Sequence, residues 1–253
     1  MVNFVGAGPG AVDLITVRGQ NLLKEADVII YAGSLVNPAL LENAKKECEI
    51  FNSATMTLEE VVDVVKRAEK ENKMTVRLHT GDPALYGAIR EQMDLLEAEN
   101  IEFVVTPGVS SFCGVAAALN AEYTLPGVSQ SVIITRMEGR TPVPEKEEMS
   151  LLAAHGATMT IFLSTGLLDK LKERLLKGGA YQENTPAAIV YKATWPEEKV
   201  FRCTVGTLAK TAEENNITKT AMIVVGGFLS SAYERSKLYD GTFTHEFREG
   251  RIE

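Results

Sequence analysis

The stretch His79-Thr80-Gly81-Asp82-Pro83-Ala84-Leu85-Tyr86-Gly87 joins a hydroxyl, a glycine and a carboxylate in one loop that follows an apolar run. Gly81 permits a positive φ or a close backbone approach to a ligand. Asp82 and Pro83 suit the N-cap and first position of a helix, which is a sufficient local reason for both. The chemical reading gives Asp82 a ligand contact or the part of a general base. A carboxylate at a helix start is held in its charged form by the dipole, so the contact is the better assignment. Four other loops are punctuated in the same way, at Gly6, Pro107, Ser164 and Lys192. The loop at Pro107 carries Ser110 and Ser111, whose hydroxyls serve equally as helix caps or as ligand contacts.

No nucleophile with its base stands out. His79, His155 and His245 are far apart in sequence and lack metal-ligand spacing. His155, ahead of Gly156, reads as a cation at a helix C-terminus. A reaction governed by positioning suits this inventory better than one governed by proton transfer. Arg136 and Arg140 bracket a proline-stiffened loop. Their guanidinium forks match carboxylates, and the plain alternative is two solvated charges. Lys192 and Arg18 are weaker candidates of the same kind. Tyr86 and Trp195 offer flat apolar walls or domain packing.

These residues need a scaffold, and the hydrophobic pattern supplies an α/β one. Strands are expected at residues 2–5, 27–31, 49–51, 75–78 and 101–105, and helices at 14–26, 35–44, 57–71, 88–98 and 112–119. Leu58, Val61, Val62 and Val65 form one core-facing stripe. After a linker at 126–129 the rhythm repeats. Strands are expected at 132–135, 158–163, 186–191, 199–204 and 221–225, and helices at 147–154, 167–177 and 207–215. The expected organisation is an α/β domain over 1–125, a second over 130–235, and a polar, aromatic tail over 236–253. The tail is either a disordered end or an arm ordered on a partner. Ligands of open α/β sheets bind beyond the carboxyl ends of the strands, so the five loops are expected to line one cleft between two domains.

Composition narrows the partners. The 253 residues are 45% hydrophobic and 24% charged, ordinary for a globular chain with ample core. A net charge of -8 argues against nucleic acid or an anionic membrane as the main partner. No apolar run approaches the roughly 20 residues that span a bilayer. Met1-Val2-Asn3-Phe4 enters a strand directly, which leaves no room for a signal peptide. Cys48, Cys113 and Cys203 are scattered, form no CxxC pair, and suit a reducing cytoplasm. No metal site of the protein's own is expected.

Gly6, Gly8 and Ala11 match the dinucleotide fingerprint loosely, which leaves a nicotinamide-dependent oxidoreductase as a rival class. Pro9 and Asp13 stand where a pyrophosphate wants free amides and no negative charge, and no acid follows at the ribose position.

The segments GAGPG with DLITVRG, HTGDPALYG, TPGVSS and YKATWP, in this order and spacing, resemble the tetrapyrrole (corrin/porphyrin) methyltransferase family from about Val2 to Phe228. EGRTPVP at Glu138 to Pro144 is similar to the branch that methylates carbon 11 of the corrin precursor in cobalamin synthesis; a member acting on another carbon is the alternative. The resemblance implies two α/β domains, S-adenosylmethionine as methyl donor with S-adenosylhomocysteine as product, a tetrapyrrole substrate, and a homodimer. Matched by motif, Pro9, Thr80, Gly81, Asp82, Ser110, Ser111, Ser164 or Thr165, and Ala193 fall at cofactor contacts. Arg136, Arg140 and Lys192 are the implied partners of the substrate's acetate and propionate groups. The implied chemistry is in-line attack of a ring carbon on an activated methyl, which asks the protein for alignment and exclusion of water.

Overall fold

Alternating apolar residues build the first sheet. In β1 (Val2–Gly6) Phe4 faces one core and Val5 the other, as a period of two requires. The first sheet is completed by β2 (Val28–Tyr31), β3 (Glu49–Asn52), β4 (Thr75–His79) and β5 (Phe103–Thr106). Their order is β3-β2-β4-β1-β5, and every pairing is parallel. The computed structural model describes residues 1–230 and 232–251, so the last two residues of the expected 236–253 tail lie outside it. The chain divides into two units, Met1–Ala118 with Tyr191–Lys199, and Leu119–Val190 with Val200–Glu253.

Helices cover both faces of the first sheet. On one side Leu23 of α1 (Val17–Glu25) joins Val5, Ile29, Val76 and Leu78. On the other, Val61 and Val65 of α2 (Leu58–Lys70) and Leu96 of α3 (Arg90–Ala98) cover Phe4, Val28 and Ile30. α4 (Ser111–Leu119) follows β5. The connection leaving β1 crosses β4 to reach β2, and the one leaving β4 crosses β1 to reach β5. The carboxyl ends of β1 and β4 therefore flank the topological switch point, where such sheets bind ligands. The Gly6 and Thr80 loops leave from there.

The second unit holds β6 (Val132–Arg136), β7 (Thr158–Phe162), β8 (Pro186–Tyr191), β9 (Lys199–Thr204) and β10 (Ala221–Val225) in the order β6-β7-β10-β8-β9. β6 runs parallel to β7, and β10 antiparallel to it, so this sheet is mixed. α5 (Met149–Ala153), α6 (Leu168–Lys177) and α7 (Leu208–Glu214) bury Ala153, Leu171, Leu175 and Leu208. The mixed α/β architecture is the one expected. No helix among the described residues is long and apolar enough to cross a membrane.

One expected helix is replaced and two begin later than expected. In place of the helix at 35–44 stand two 3-10 segments, Gly33–Leu35 and Pro38–Asn43: Pro38 has no amide to give and Asn37 Oδ1 caps Ala39 N at 3.1 Å. α1 begins at Val17, not residue 14: Thr16 Oγ1 caps Gly19 N at 3.1 Å. α3 begins at Arg90 because Ala88 sits at φ 49°, outside helical space. In the tail, His245 and Arg248 exchange backbone hydrogen bonds of 2.9 and 3.0 Å, while Tyr239 and Phe247 stay exposed.

Candidate functional site

Three glycines from three loops meet backbone to backbone in the first unit. A Cβ on Gly6 would stand 2.5 Å from Gly108 Cα and 2.6 Å from Gly81 O; one on Gly108 would stand 2.1 Å from Gly81 O. No side chain fits there, so the carboxyl ends of β1, β4 and β5 are drawn together at the closest range a backbone allows. Gly8 and Gly81 exchange hydrogen bonds of 3.3 and 2.9 Å, both at positive φ (80° and 59°). Gly81 lies against the start of α4, 3.6 Å from Ser110 Cα and 3.5 Å from Ser111 N as measured from its would-be Cβ. Ser110 O accepts Cys113 N at 3.0 Å, which puts buried Ser110 at the N-cap.

Residues 191–199 belong to the same unit and close the group. Thr194 Oγ1 accepts Ala11 N at 3.0 Å, and Trp195 Nε1 donates to Pro9 O at 3.2 Å. The indole lies so close to Gly10 that a Cβ there would be 2.1 Å from it. Gly114 of α4 leaves room for Pro9 and Thr194, whose atoms would stand 2.9 and 3.1 Å from a Cβ. Ala193 is buried between two residues at positive φ, Lys192 (45°) and Thr194 (70°). Pro9, Gly81, Ser110, Ser111 and Ala193, spread over 185 positions of sequence, thus belong to one local assembly.

The Asp82-Pro83 helix start is corrected. No helix begins there: Leu85 N turns back on Asp82 O at 3.2 Å, and Tyr86 stands at φ 58°. Asp82 instead ties loops, with Oδ1 accepting Ala84 N at 2.8 Å and Oδ2 accepting Gly108 N at 2.9 Å. Thr80 Oγ1 donates to Leu35 O at 2.8 Å, linking this loop to the Gly33–Leu35 turn. The dinucleotide reading fails on geometry as well, since Gly8 is bridged to Gly81 and a 3-10 turn, Val12–Leu14, separates the glycines from α1.

In the second unit Ser164 is fully buried, accepts Met137 N at 2.9 Å and donates to Phe162 O at 2.6 Å. Its hydroxyl is a structural tie, and so is that of Thr165, which donates to Ala221 O at 3.0 Å. The side chain presented beside them is Leu163, 67% exposed at φ 53°. Arg136 is built into its loop, reaching Met137 O, Thr141 O and Pro142 O at 3.1, 3.2 and 2.7 Å. A guanidinium so engaged is a strut, not a free fork. Arg140 is exposed and forms no ion pair among the described residues. Lys192, in the first unit, pairs with Glu197 at 3.1 Å and lies 5.1 Å over the Trp195 ring. Arg18 is exposed on α1.

Sequence reasoning passed over Arg77 and left His79 open. Both lie on β4 in register with the apolar face: Arg77 stands beside Phe4 and Ile30, and His79 beside Gly6. Both are buried. Burial, with the Arg77 charge adding to it, pushes the His79 imidazole down to about 3, so it is neutral at pH 7. The signal was an arginine between two apolar residues of a central strand, Val76-Arg77-Leu78.

A family model described as tetrapyrrole (corrin/porphyrin) methylases matches residues 1–209. The chain is 53% identical to a cobalt-precorrin-4 C(11)-methyltransferase of Methanocaldococcus jannaschii, over 98% of this chain and 95% of that protein. It is 49% identical to the enzyme of the same name from Priestia megaterium (98% and 97% covered) and 42% identical to a precorrin-4 C(11)-methyltransferase of a Sinorhizobium species (98% of each). The X-ray structure of a cobalamin biosynthetic enzyme, cobalt precorrin-4 methyltransferase, superposes with a TM-score of 0.88 at 48% identity, covering 90% of this chain and 95% of that one.

Proposed function

Because the chain belongs to the tetrapyrrole (corrin/porphyrin) methylases, we propose that it methylates carbon 11 of cobalt-precorrin-4 in cobalamin synthesis. The observation that carries this reading is the likeness, over nearly the whole of both chains, to enzymes named for that reaction. The two more similar of the named relatives act on the cobalt-bearing precursor, which favours it over metal-free precorrin-4. The metal is then part of the substrate.

The residues present fit S-adenosylmethionine, which supplies a methyl group already activated on sulfur. Gly6, Gly81 and Gly108 let the three loops pack backbone to backbone where a Cβ would hold them apart, which sets the wall the donor would lie against. Pro9, Thr80, Gly81, Asp82, Ser110, Ser111 and Ala193 are the residues assigned to hold it. Their part is positioning: the three loops are cross-braced by Asp82, Thr194 and Trp195, so a bound donor meets a preformed wall. Ser164 contributes backbone at most, because its hydroxyl is engaged. No residue is required to move a proton before methyl transfer. Arg140 and Lys192 are assigned to the substrate's carboxylates. The reading carries with it a homodimer and a cytoplasmic location; three free thiols suit the second and say nothing of the first.

Calorimetric titration with S-adenosylhomocysteine, with NADH in parallel, tests the cofactor. Micromolar binding of the first alone supports the reading, and folded protein that binds neither overturns it. Incubation with S-adenosylmethionine and cobalt-precorrin-4 then has to yield a product heavier by one methyl, placed at carbon 11 by NMR. Sedimentation as a monomer would remove the homodimer.

A further inference from the structure

A cavity of about 300 Å³ opens in the first unit beside the Thr80 loop, lined by Arg77, His79, Ser53, Thr57, Tyr86 and Gln92 among others. Its floor is the β4 face on which Arg77 replaces an apolar residue between Phe4 and Ile30. Arg77 is buried, yet every partner it has is neutral: Nε donates to Gln92 Oε1, Nη1 to Ile30 O and Nη2 to Ser53 Oγ, each at 3.0 Å. Glu91 also borders the cavity, but it is exposed, and Arg77 forms no ion pair among the described residues. Burial lowers the guanidinium only to about 10, so it keeps its charge at neutral pH. A buried cation without a counter-charge is costly, so an anion entering beside it gains more than it would in water. Two of its five N–H groups, one on each terminal nitrogen, have no partner among the described residues.

Two further features favour an anion. The first turn of α2, a helix of 13 residues, borders the cavity through Thr57 and Leu58; Glu60 Oε2 accepts Thr57 N at 2.7 Å and Thr57 Oγ1 accepts Glu60 N at 3.2 Å, so the helix adds the field of its dipole, partly offset by Glu59 and Glu60. His79 Nε2 is buried without a hydrogen-bond partner, and the residue is only 3% exposed. A neutral imidazole whose second nitrogen is unused can donate to a carboxylate oxygen.

Resting on the function proposed above, we infer that this cavity is a carboxylate subsite for the tetrapyrrole, in which Arg77 takes one peripheral acetate or propionate group with the α2 amino end and His79 beside it. The subsite fixes the macrocycle's orientation and so selects which ring carbon faces the methyl donor. S-adenosylmethionine also carries a carboxylate, and the test separates the two sources.

Arg77→Lys keeps the charge and loses the fork. The KM for cobalt-precorrin-4 is expected to rise at least tenfold, with the Kd for S-adenosylhomocysteine unchanged within about twofold. Because Arg77 is buried and its variant risks the fold, a second pair decides independently. Ser53→Asp places a carboxylate next to the guanidinium and fills the subsite's charge from within; Ser53→Asn has the same shape without the charge. The expected result is a KM at least tenfold higher in Ser53→Asp than in Ser53→Asn, with equal affinity for S-adenosylhomocysteine and a Tm no lower. Equal KM values in the two variants would overturn the inference. A fall in S-adenosylhomocysteine affinity specific to Ser53→Asp would assign the subsite to the cofactor and overturn it too. If wild-type protein binds S-adenosylhomocysteine while Ser53→Asp and Ser53→Asn share one KM, the subsite falls and the methyltransferase reading stands, whereas wild-type protein that binds no S-adenosylhomocysteine fails that reading instead.

Discussion

Asp82 Oδ2 accepts the amide of Gly108 across two loops at 2.9 Å, while its Oδ1 accepts Ala84 N at 2.8 Å. Both carboxylate oxygens are therefore occupied by protein amides, and the residue acts on the site by holding the β4 and β5 loops in contact. That geometry argues against a general base and for a brace.

Asp82→Asn replaces one acceptor by a donor, so one of the two amides meets an N–H whichever way the side chain turns. The expected cost is about 1–3 kcal/mol of stability by urea unfolding. Affinity for S-adenosylhomocysteine is expected to fall roughly tenfold, since the loops that hold it lose their register. A variant as stable as wild type that binds the product normally would show that the brace is dispensable.

The strands were legible because ten short runs, five in each half, alternate with helical stripes, and the loops were legible because glycine and proline mark strand ends. The false helix start at Pro83 has a specific cause. Asp-Pro is also how a chain makes a tight turn with an Asx bond, and only long-range contact decides between the two; here Gly108 supplies it. Trp195 was read as a wall, with packing as the alternative, but its partner Pro9 lies 186 residues away, beyond any local pattern. Arg77 escaped notice because Thr75, Arg77 and His79 alternate with Val76 and Leu78, which is the ordinary pattern of a strand with one solvated face. Its position between Phe4 and Ile30 emerges only from the register of the sheet.

Arg136 and Arg140, alike in sequence, separate in structure. Arg136 holds three carbonyls of its own loop, so Arg136→Ala is expected to lose about 1–2 kcal/mol and to speed subtilisin cleavage within residues 137–144. Arg140→Ala, at an exposed position, is expected to leave stability within about 0.5 kcal/mol. It is expected to raise the KM for cobalt-precorrin-4 roughly tenfold, if the exposed fork meets a substrate carboxylate. Unchanged KM in both variants would remove this loop from the substrate assignment.

Trp195 is the chain's single tryptophan, and its indole donates to Pro9 O at 3.2 Å beside Gly10. Its fluorescence is thus a direct report on the first loop. Saturation with S-adenosylhomocysteine is expected to change the emission, with a midpoint equal to the calorimetric Kd. Trp195→Phe keeps an aromatic ring and loses the bond, for an expected loss of about 1 kcal/mol, or roughly fivefold in affinity by calorimetry. Emission that ignores the ligand would place the bound molecule away from Pro9.

His79 gives the protein a dependence on acid. Burial, reinforced by the Arg77 charge, depresses its imidazole from the ordinary 6.5 to about 3 in the folded chain. The unfolded chain takes up a proton below 6.5 that the folded chain refuses, so this contribution to stability is complete above 6.5 and is lost as pH falls toward 3. Between pH 7 and pH 5 the loss from this one residue amounts to about 2 kcal/mol. His79→Gln cannot titrate. Urea unfolding at the two pH values is expected to show a smaller drop in the variant than in wild type, by about that amount. An identical drop in both would mean that His79 takes up its proton in the folded state as readily as in the unfolded one, and that the β4 face is far more open to water than its burial implies.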